Sequence, residues 1–114
     1  MNVRIKRVYE PRSEQDGKRV LVDRLWPRGL SKEKAGVDLW LKEIAPTTEL
    51  RKWFAHDPAR WTQFQNRYRA ELKENADAVA ILKREAEHGP VTLLFGAKDE
   101  EHNEAVVLRS IFNS

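Results

Sequence analysis

Four residues with the chemistry of a ligand site lie within the segment 23–29. Arg24 and Arg28 can each grip a phosphate or a carboxylate through paired N–H donors, which a lysine cannot do. Asp23 is a candidate to orient one guanidinium or to act as a catalytic base, and Trp26 offers a flat face to a base or a sugar. The alternative is an Asp–Arg pair that only fixes the loop, with Trp26 packed in the core.

Three further candidates, Lys98, His102 and Asn103, follow the apolar run of residues 91–95. This segment leaves a predicted strand and enters a predicted helix, where free backbone N–H groups and the helix dipole favour an anion. Lys98 supplies a positive charge, and His102 or Asn103 is expected to face the same crevice as the two arginines. The acids at 99–101 favour the alternative, in which they satisfy the helix start themselves.

His56 is the histidine best placed for acid–base catalysis, because it lies in a predicted loop and is followed by Asp57. Asp57 precedes Pro58, however, and this pair is typical of a helix cap and the first helical residue. A surface histidine is therefore the alternative. We expect neither a metal nor a cofactor, because the sequence has no metal-ligand spacing and no glycine-rich phosphate loop.

The composition restricts the class of protein. The chain has 114 residues and no cysteine, which excludes disulfides, thiol catalysis and thiolate metal sites. Its first residues do not resemble a signal peptide, and no apolar run approaches the roughly 20 residues that a membrane-spanning helix needs. We therefore expect one domain over residues 1–114, a cytoplasmic location and no membrane partner.

Basic residues are concentrated in the first third of the chain. Residues 1–34 hold ten Lys and Arg against five Asp and Glu, whereas the remainder holds eleven against thirteen. A basic surface attracts phosphates, so a nucleic-acid-binding module is the alternative function, with Trp26 stacked on a base. Its phosphate contacts would come from Arg4, Lys6, Arg7, Lys18 and Arg19. A third hypothesis, a protein-interaction domain, predicts an exposed apolar patch around Trp40.

Hydrophobic patterns indicate the elements that position these residues. Strands are predicted at residues 2–9, 18–23, 37–44 and 91–95. Helices are predicted after Ser31, after Thr47 or Thr48, from Asp57 to residues 88–90 with a bend at 75–77, and from about Glu101 onward. Alternation of strands and helices implies parallel pairing. We therefore predict a compact three-layer α/β domain, with a mostly parallel sheet of about four strands flanked by helices.

Several motifs together cover nearly the whole chain: RVLVDRLWPRGLSK from residue 19, LRKWF from residue 50, HDP from residue 56, residues 64–68 with 71–72, and TLLFGAKD from residue 92, before the Asn103 helix. In these motifs the sequence resembles the bacterial YeaO-like family, which is domain of unknown function 488. The resemblance implies a small α/β domain. The family has no agreed activity, so no catalytic residue is carried over from it. A fainter similarity to rhodanese domains implies no sulfur transfer, because those domains depend on a reactive cysteine.

In open α/β sheets, ligands bind at the carboxyl ends of the strands, where the segments 23–29 and 96–103 begin. The favoured hypothesis is therefore a pocket for a small phosphate- or carboxylate-bearing molecule. The pocket is an enzyme site if one of its residues acts as a base. The predicted ligand-binding residues are Arg24, Trp26, Arg28, Lys98, His102 and Asn103. The predicted catalytic residues are Asp23 and His56.

Overall fold

The chain folds around one parallel sheet of four strands, and the computed structural model describes residues 1–114. The strands are β1 (Val3–Arg7), β2 (Lys18–Leu21), β3 (Leu39–Trp40) and β4 (Val91–Phe95). Their order across the sheet is β1-β4-β2-β3, so the last strand of the chain lies between the first two. Parallel neighbours require long crossover connections, which here contain the helices. The predicted α/β class is confirmed.

Five α-helices connect or follow these strands, and several begin at a side chain that caps the backbone. They are α1 (Lys32–Ala35), α2 (Thr48–Phe54), α3 (Trp61–Lys73), α4 (Ala76–Glu87) and α5 (Glu104–Phe112). Ser31 Oγ accepts the N–H of Lys34, and Thr47 Oγ1 accepts that of Leu50, both at 3.2 Å. The predicted caps at Ser31 and Thr47 are confirmed, as is the interruption between α3 and α4.

Alternate residues of each strand face opposite sides of the sheet. Val91, Leu93 and Phe95 of β4 enter the larger apolar core, to which α2, α3, α4 and α5 contribute. Leu94 enters a smaller cluster on the other face, together with Ala35 of α1. Helices therefore cover both faces, which confirms three layers. None of the helices combines the length and the apolar character needed to cross a membrane.

Two predicted boundaries are wrong. Only Leu39–Trp40 of the segment 37–44 forms a strand, because the chain turns into a 3-10 helix at Lys42–Ile44 once Leu41 has bonded to β2. The last helix begins at Glu104 rather than at about Glu101. The Asp99 carboxylate accepts the N–H groups of Glu101 and His102 in a preceding turn, and Asn103 then caps α5.

Arg19 connects three segments from inside the protein, where none of its surface is exposed. Its Nη1 donates to Asp16 Oδ2 at 2.8 Å, its Nη2 to Ala35 O at 2.9 Å and its Nε to Gly36 O at 3.0 Å. Burial by itself raises the pKa of Asp16, but hydrogen bonds from the Ser13 N–H, Arg19 and Lys6 lower it overall. The arginine thus anchors α1 and the turn before β2 to the sheet.

The predicted phosphate-contacting surface is wrong in its inclusion of Arg19, because a fully buried guanidinium cannot reach a nucleic acid. The other four basic side chains also donate within the chain. Arg4 contacts Gln15 O, Lys6 contacts Pro11 O and Asp16, Arg7 contacts Ala97 O, and Lys18 contacts Glu85. These bonds leave no row of unengaged cations on the strands near the N-terminus.

Trp40 does not form the exposed apolar patch that the protein-interaction hypothesis predicts. Its ring is half-buried, it meets Trp26 edge-on at 5.4 Å, and its Nε1 donates to Asp23 O at 2.8 Å. The large apolar side chains that are exposed lie apart in the sequence: Met1, Tyr9, Leu25 and Ile81.

The substitution Arg19→Met tests the buried network. Methionine keeps much of the apolar stem but leaves the Ala35 carbonyl without its donor and the Asp16 carboxylate with only Lys6 and the Ser13 N–H. We expect the free energy of unfolding, measured by urea denaturation, to fall by about 3–5 kcal/mol. The matched control is Arg12→Met, which breaks the exposed 2.6 Å ion pair with Asp38 and should cost at most about 1 kcal/mol. Equal losses in both variants would contradict the assigned role.

Candidate functional site

A cavity of about 400 Å³ opens at the carboxyl ends of β2 and β4. Its lining comes from the segments that follow these two strands and from the region around α2. After β2 these residues are Asp23, Arg24, Leu25 and Arg28; after β4 they are Gly96, Ala97, His102, Asn103 and Glu104; between them are Ala45, Pro46, Arg51, Phe54, His56 and Phe64. The predicted crevice between the two loops is therefore a real concavity.

Asp23 and Gly96 join the two strand ends in the cavity wall. The Asp23 Oδ2 atom accepts the Gly96 N–H at 2.7 Å. A Cβ atom at position 96 would lie 3.0 Å from this oxygen, so glycine allows the carboxylate to sit against the backbone. The bond holds Asp23 at the cavity in a fixed orientation.

Glu104, the first residue of α5, forms a carboxyl pair with Asp23. Burial raises the pKa of Glu104 well above its usual range, and the negative charge of Asp23 and a hydrogen bond to it raise it further, while Arg51 opposes the shift. Glu104 Oε1 is shut off from solvent and receives no donor from the chain. A proton held by Glu104 and shared with the Asp23 carboxylate is consistent with both observations.

The three arginines of the cavity differ in what they contact. Arg24 donates from Nη2 to Ala45 O at 3.0 Å and from Nε to Pro46 O at 3.3 Å, which ties the segment before α2 to the loop after β2. Arg28 and Arg51 are exposed, and neither guanidinium takes part in a hydrogen bond or ion pair of the chain. Two of the guanidinium groups that line the cavity thus have no partner within the chain.

His56 lies at the same rim in an unusual backbone conformation. Ala55 and His56 both have positive φ, 48° and 55°, which side chains other than glycine rarely adopt and which costs about 1–3 kcal/mol each. The Asp57 carboxylate accepts the Ala59 N–H at 3.0 Å as a cap. The imidazole of His56 is therefore exposed to the cavity without a carboxylate bonded to it.

His102 and Asn103 form the wall opposite the arginines. His102 Nδ1 lies 2.9 Å from Asp99 Oδ2, and its ring meets Trp61 edge-on at 5.2 Å. Asn103 Oδ1 accepts the Val106 N–H, and its Nδ2 donates to Asp99 O, so both ends of the amide are engaged. Both side chains have partners that hold them in place.

Two predicted ligand residues do not line this cavity. Trp26 contributes to the apolar cluster on the other face of the sheet, and its Nε1 donates to Leu30 O at 2.8 Å. Lys98 is exposed and borders an adjoining depression beside Asp99, which shares His56, Gly96 and Ala97 with the cavity. No three His, Asp or Glu side chains come together in a way that could hold a metal ion.

The sequence patterns did not identify Arg51 or Glu104 as site residues. Arg51 has the pattern of an ordinary solvated position in a short helix. Glu104 was hidden by the misplaced helix start, because an acid in a first turn is usually explained by the helix dipole. If Asn103 had been recognised as the N-cap, the predicted start of the last helix would have been Glu104, next to the segment that follows β4.

These observations define a class of protein: a parallel α/β fold with a polar cavity at the carboxyl ends of its central strands. A comparison of the sequence with known families gives a narrower assignment. The model of a family described as the inactive DUF488-N3 subclade matches residues 2–114. The chain belongs to this family, which is the YeaO-like group that its motifs resembled.

Similar proteins occur in distant bacteria, and their own names record no activity. The uncharacterized protein YeaO of Escherichia coli K12 is 45% identical over 108 residues, which is 95% of this chain and 94% of that protein. The uncharacterized protein Mb3100c of Mycobacterium bovis is 40% identical over 111 residues, or 97% and 93% of the two chains. No solved structure matches the chain significantly.

The substitution Glu104→Gln tests the shared proton. A carboxyl whose pKa is raised by folding holds more protons in the folded than in the unfolded protein. Wild-type stability should therefore fall as the pH rises above the unfolded pKa near 4.5 and until the raised folded pKa is passed. Glutamine does not titrate, so urea denaturation should show the variant gaining stability relative to wild type over this range.

The groups that face Glu104 are unchanged in this variant. They are Asp23, Arg51 and Tyr68, whose own pKa burial raises. Titration of the groups that do not contact the Asp23–Glu104 pair cancels in the difference between the two proteins. If the unfolding free energies of wild type and Glu104→Gln run parallel as functions of pH, folding does not raise the pKa of Glu104 and the assignment is wrong.

Proposed function

We propose that the cavity binds a small molecule with a phosphate or carboxylate group. The observation that carries this proposal is the presence of two exposed guanidinium groups, Arg28 and Arg51, at one cavity with no partner in the chain. Arginine is the side chain best suited to grip either anion with two parallel hydrogen bonds. Arg24 adds a third positive charge, although two carbonyl groups already hold its guanidinium.

The location of the cavity supports a ligand site. The carboxyl ends of parallel strands are the usual binding edge of such sheets. The buried rings of Phe54 and Phe64, stacked at 4.4 Å, supply an apolar wall below the charged rim. An apolar wall with a few oriented polar groups is typical of small-molecule sites. Strain at Ala55 and His56 lies at the same rim, where functional sites commonly retain it.

Binding without catalysis is the form of the proposal that we favour. The family description carries the word inactive, and His56 lacks an orienting carboxylate because Asp57 caps the next turn. Roles for Asp23 or His56 as bases stay predictions. Nucleic-acid binding has less structural support, because the basic side chains of the first third already donate hydrogen bonds within the chain.

Calorimetric titration with inorganic phosphate at low ionic strength tests the proposal. We expect saturable binding to the wild-type protein. Each charge-assisted hydrogen bond is worth about 1.5–3 kcal/mol, so the double variant Arg28→Gln/Arg51→Gln should bind phosphate at least about tenfold more weakly. Binding should also raise the thermal midpoint, and the rise should continue with the logarithm of the phosphate concentration above Kd.

The matched control is Arg84→Gln/Arg109→Gln, which removes two exposed arginines of α4 and α5 that do not line the cavity. It has the same net charge as the test variant and should bind phosphate like wild type. If both double variants bind phosphate equally weakly, the loss of affinity comes from the lower net charge of the protein and not from the cavity. Tight, salt-sensitive binding of an oligonucleotide that is indifferent to Arg28 and Arg51 would favour the nucleic-acid alternative.

A further inference from the structure

We propose that the ligand is a phosphate monoester that also carries hydroxyl groups, as a phosphorylated sugar does. Its phosphate would lie at Arg28 and Arg51, and one hydroxyl would lie at the Asp23–Glu104 pair. This inference rests on the proposed function and adds the chemical class of the molecule. It is carried by the position of the Asp23–Glu104 carboxyl pair, which lines the same cavity as two unengaged guanidinium groups.

The charge of the cavity favours phosphate over carboxylate. Arg24, Arg28 and Arg51 carry three positive charges, and the Asp23–Glu104 pair with its shared proton carries one negative charge. A phosphate monoester has about 1.5–2 negative charges near neutral pH, which matches the surplus of two. A carboxylate has only one. The three guanidinium groups outnumber the two carboxyl groups in either protonation state, and a phosphate offers them more acceptor oxygens than a carboxylate does.

The carboxyl pair favours a hydroxyl as the second ligand group. A carboxylic acid beside a carboxylate both donates and accepts hydrogen bonds, and a hydroxyl group is the neutral partner that does the same. An ammonium group would offer donors too, but three guanidinium groups around the cavity repel it. Asp23 and Glu104 are only partly buried as residues, so the pair keeps a surface toward the cavity.

The size and the walls of the cavity fit a monosaccharide better than a larger molecule. Its volume of about 400 Å³ lies at the low end of the roughly 300–1,000 Å³ usual for small-molecule sites. Phe54 and Leu25 add apolar surface to the lining of the cavity. The C–H groups of a sugar ring can pack on such a surface while its hydroxyls face polar groups.

Three probes separate the two parts of this inference. D-ribose 5-phosphate has both groups, n-butyl phosphate lacks the hydroxyls, and D-ribonate replaces the phosphate by a carboxylate. We expect the wild-type protein to bind ribose 5-phosphate at least about tenfold more tightly than either of the other two in calorimetric titrations. This comparison requires no variant and therefore does not depend on how well a variant folds.

Variants at Glu104 then locate the hydroxyl. Glu104→Leu leaves the single negative charge on Asp23 and removes only the second carboxyl group. It should lose the preference for ribose 5-phosphate over n-butyl phosphate that the wild-type protein shows. Glu104→Gln mimics the protonated acid, because its amide donates to Asp23 and its oxygen still accepts, and it should retain most of that preference.

Each contrary result overturns a different statement. Equal wild-type affinity for ribose 5-phosphate and n-butyl phosphate would refute the hydroxyl subsite and leave the phosphate pocket intact. Equal affinity for ribose 5-phosphate and D-ribonate would refute the choice of phosphate. Failure of all three probes and of inorganic phosphate to bind would refute the proposed function itself.

Discussion

The last strand of the chain pairs in parallel with both of the first two, and the site depends on this pairing. Val91 of β4 stands opposite Val3 of β1 on one side and Lys18 of β2 on the other. Because all three strands run in one direction, the segments that follow β2 and β4 leave the sheet at the same edge. The 2.7 Å bond from the Gly96 N–H to the Asp23 carboxylate joins them there. Residues more than 70 positions apart in sequence thereby share one cavity.

The cavity brings two carboxyl groups together, whereas a buried charge elsewhere has partners of opposite polarity. The buried Arg19 has its donors matched to carbonyl groups and a carboxylate. At the cavity, Asp23 and Glu104 lie side by side, an arrangement that costs stability because two like charges repel each other. The left-handed residues Ala55 and His56 add to this cost. Unfavourable local energy gathered at one concavity is typical of a binding site.

Much of the fold is readable from sequence because its signals are local. The β-branched run before Asp23, the cap at Ser31 and the stop after residues 88–90 each depend on a few neighbouring residues. The segment 37–44 was harder, since its alternation is real but only Leu39–Trp40 finds a pairing partner. Whether an alternating segment becomes a strand depends on the neighbouring strand, which a single-sequence pattern does not contain.

The site was only partly readable, because residue type does not specify the direction of a side chain. The segment 23–29 was recognised as chemically rich, and Asp23, Arg24 and Arg28 do line the cavity. Trp26 faces the other side of the sheet, where its indole N–H finds the Leu30 carbonyl. Glu104 reaches Asp23 only through the tertiary contact between α5 and the sheet. The polar partner that most changes the chemistry of Asp23 was therefore invisible to local patterns.

A two-dimensional ¹H–¹⁵N NMR titration of the protein with inorganic phosphate tests most directly whether the cavity binds an anion, because it locates binding without a substitution. We expect saturable shifts in the amide signals of residues 23–28, 45–56 and 96–104, and little change elsewhere. Shifts confined to the strands near the N-terminus and to residues 10–19, or no saturable shifts at all, would contradict the claim that this cavity is an anion site.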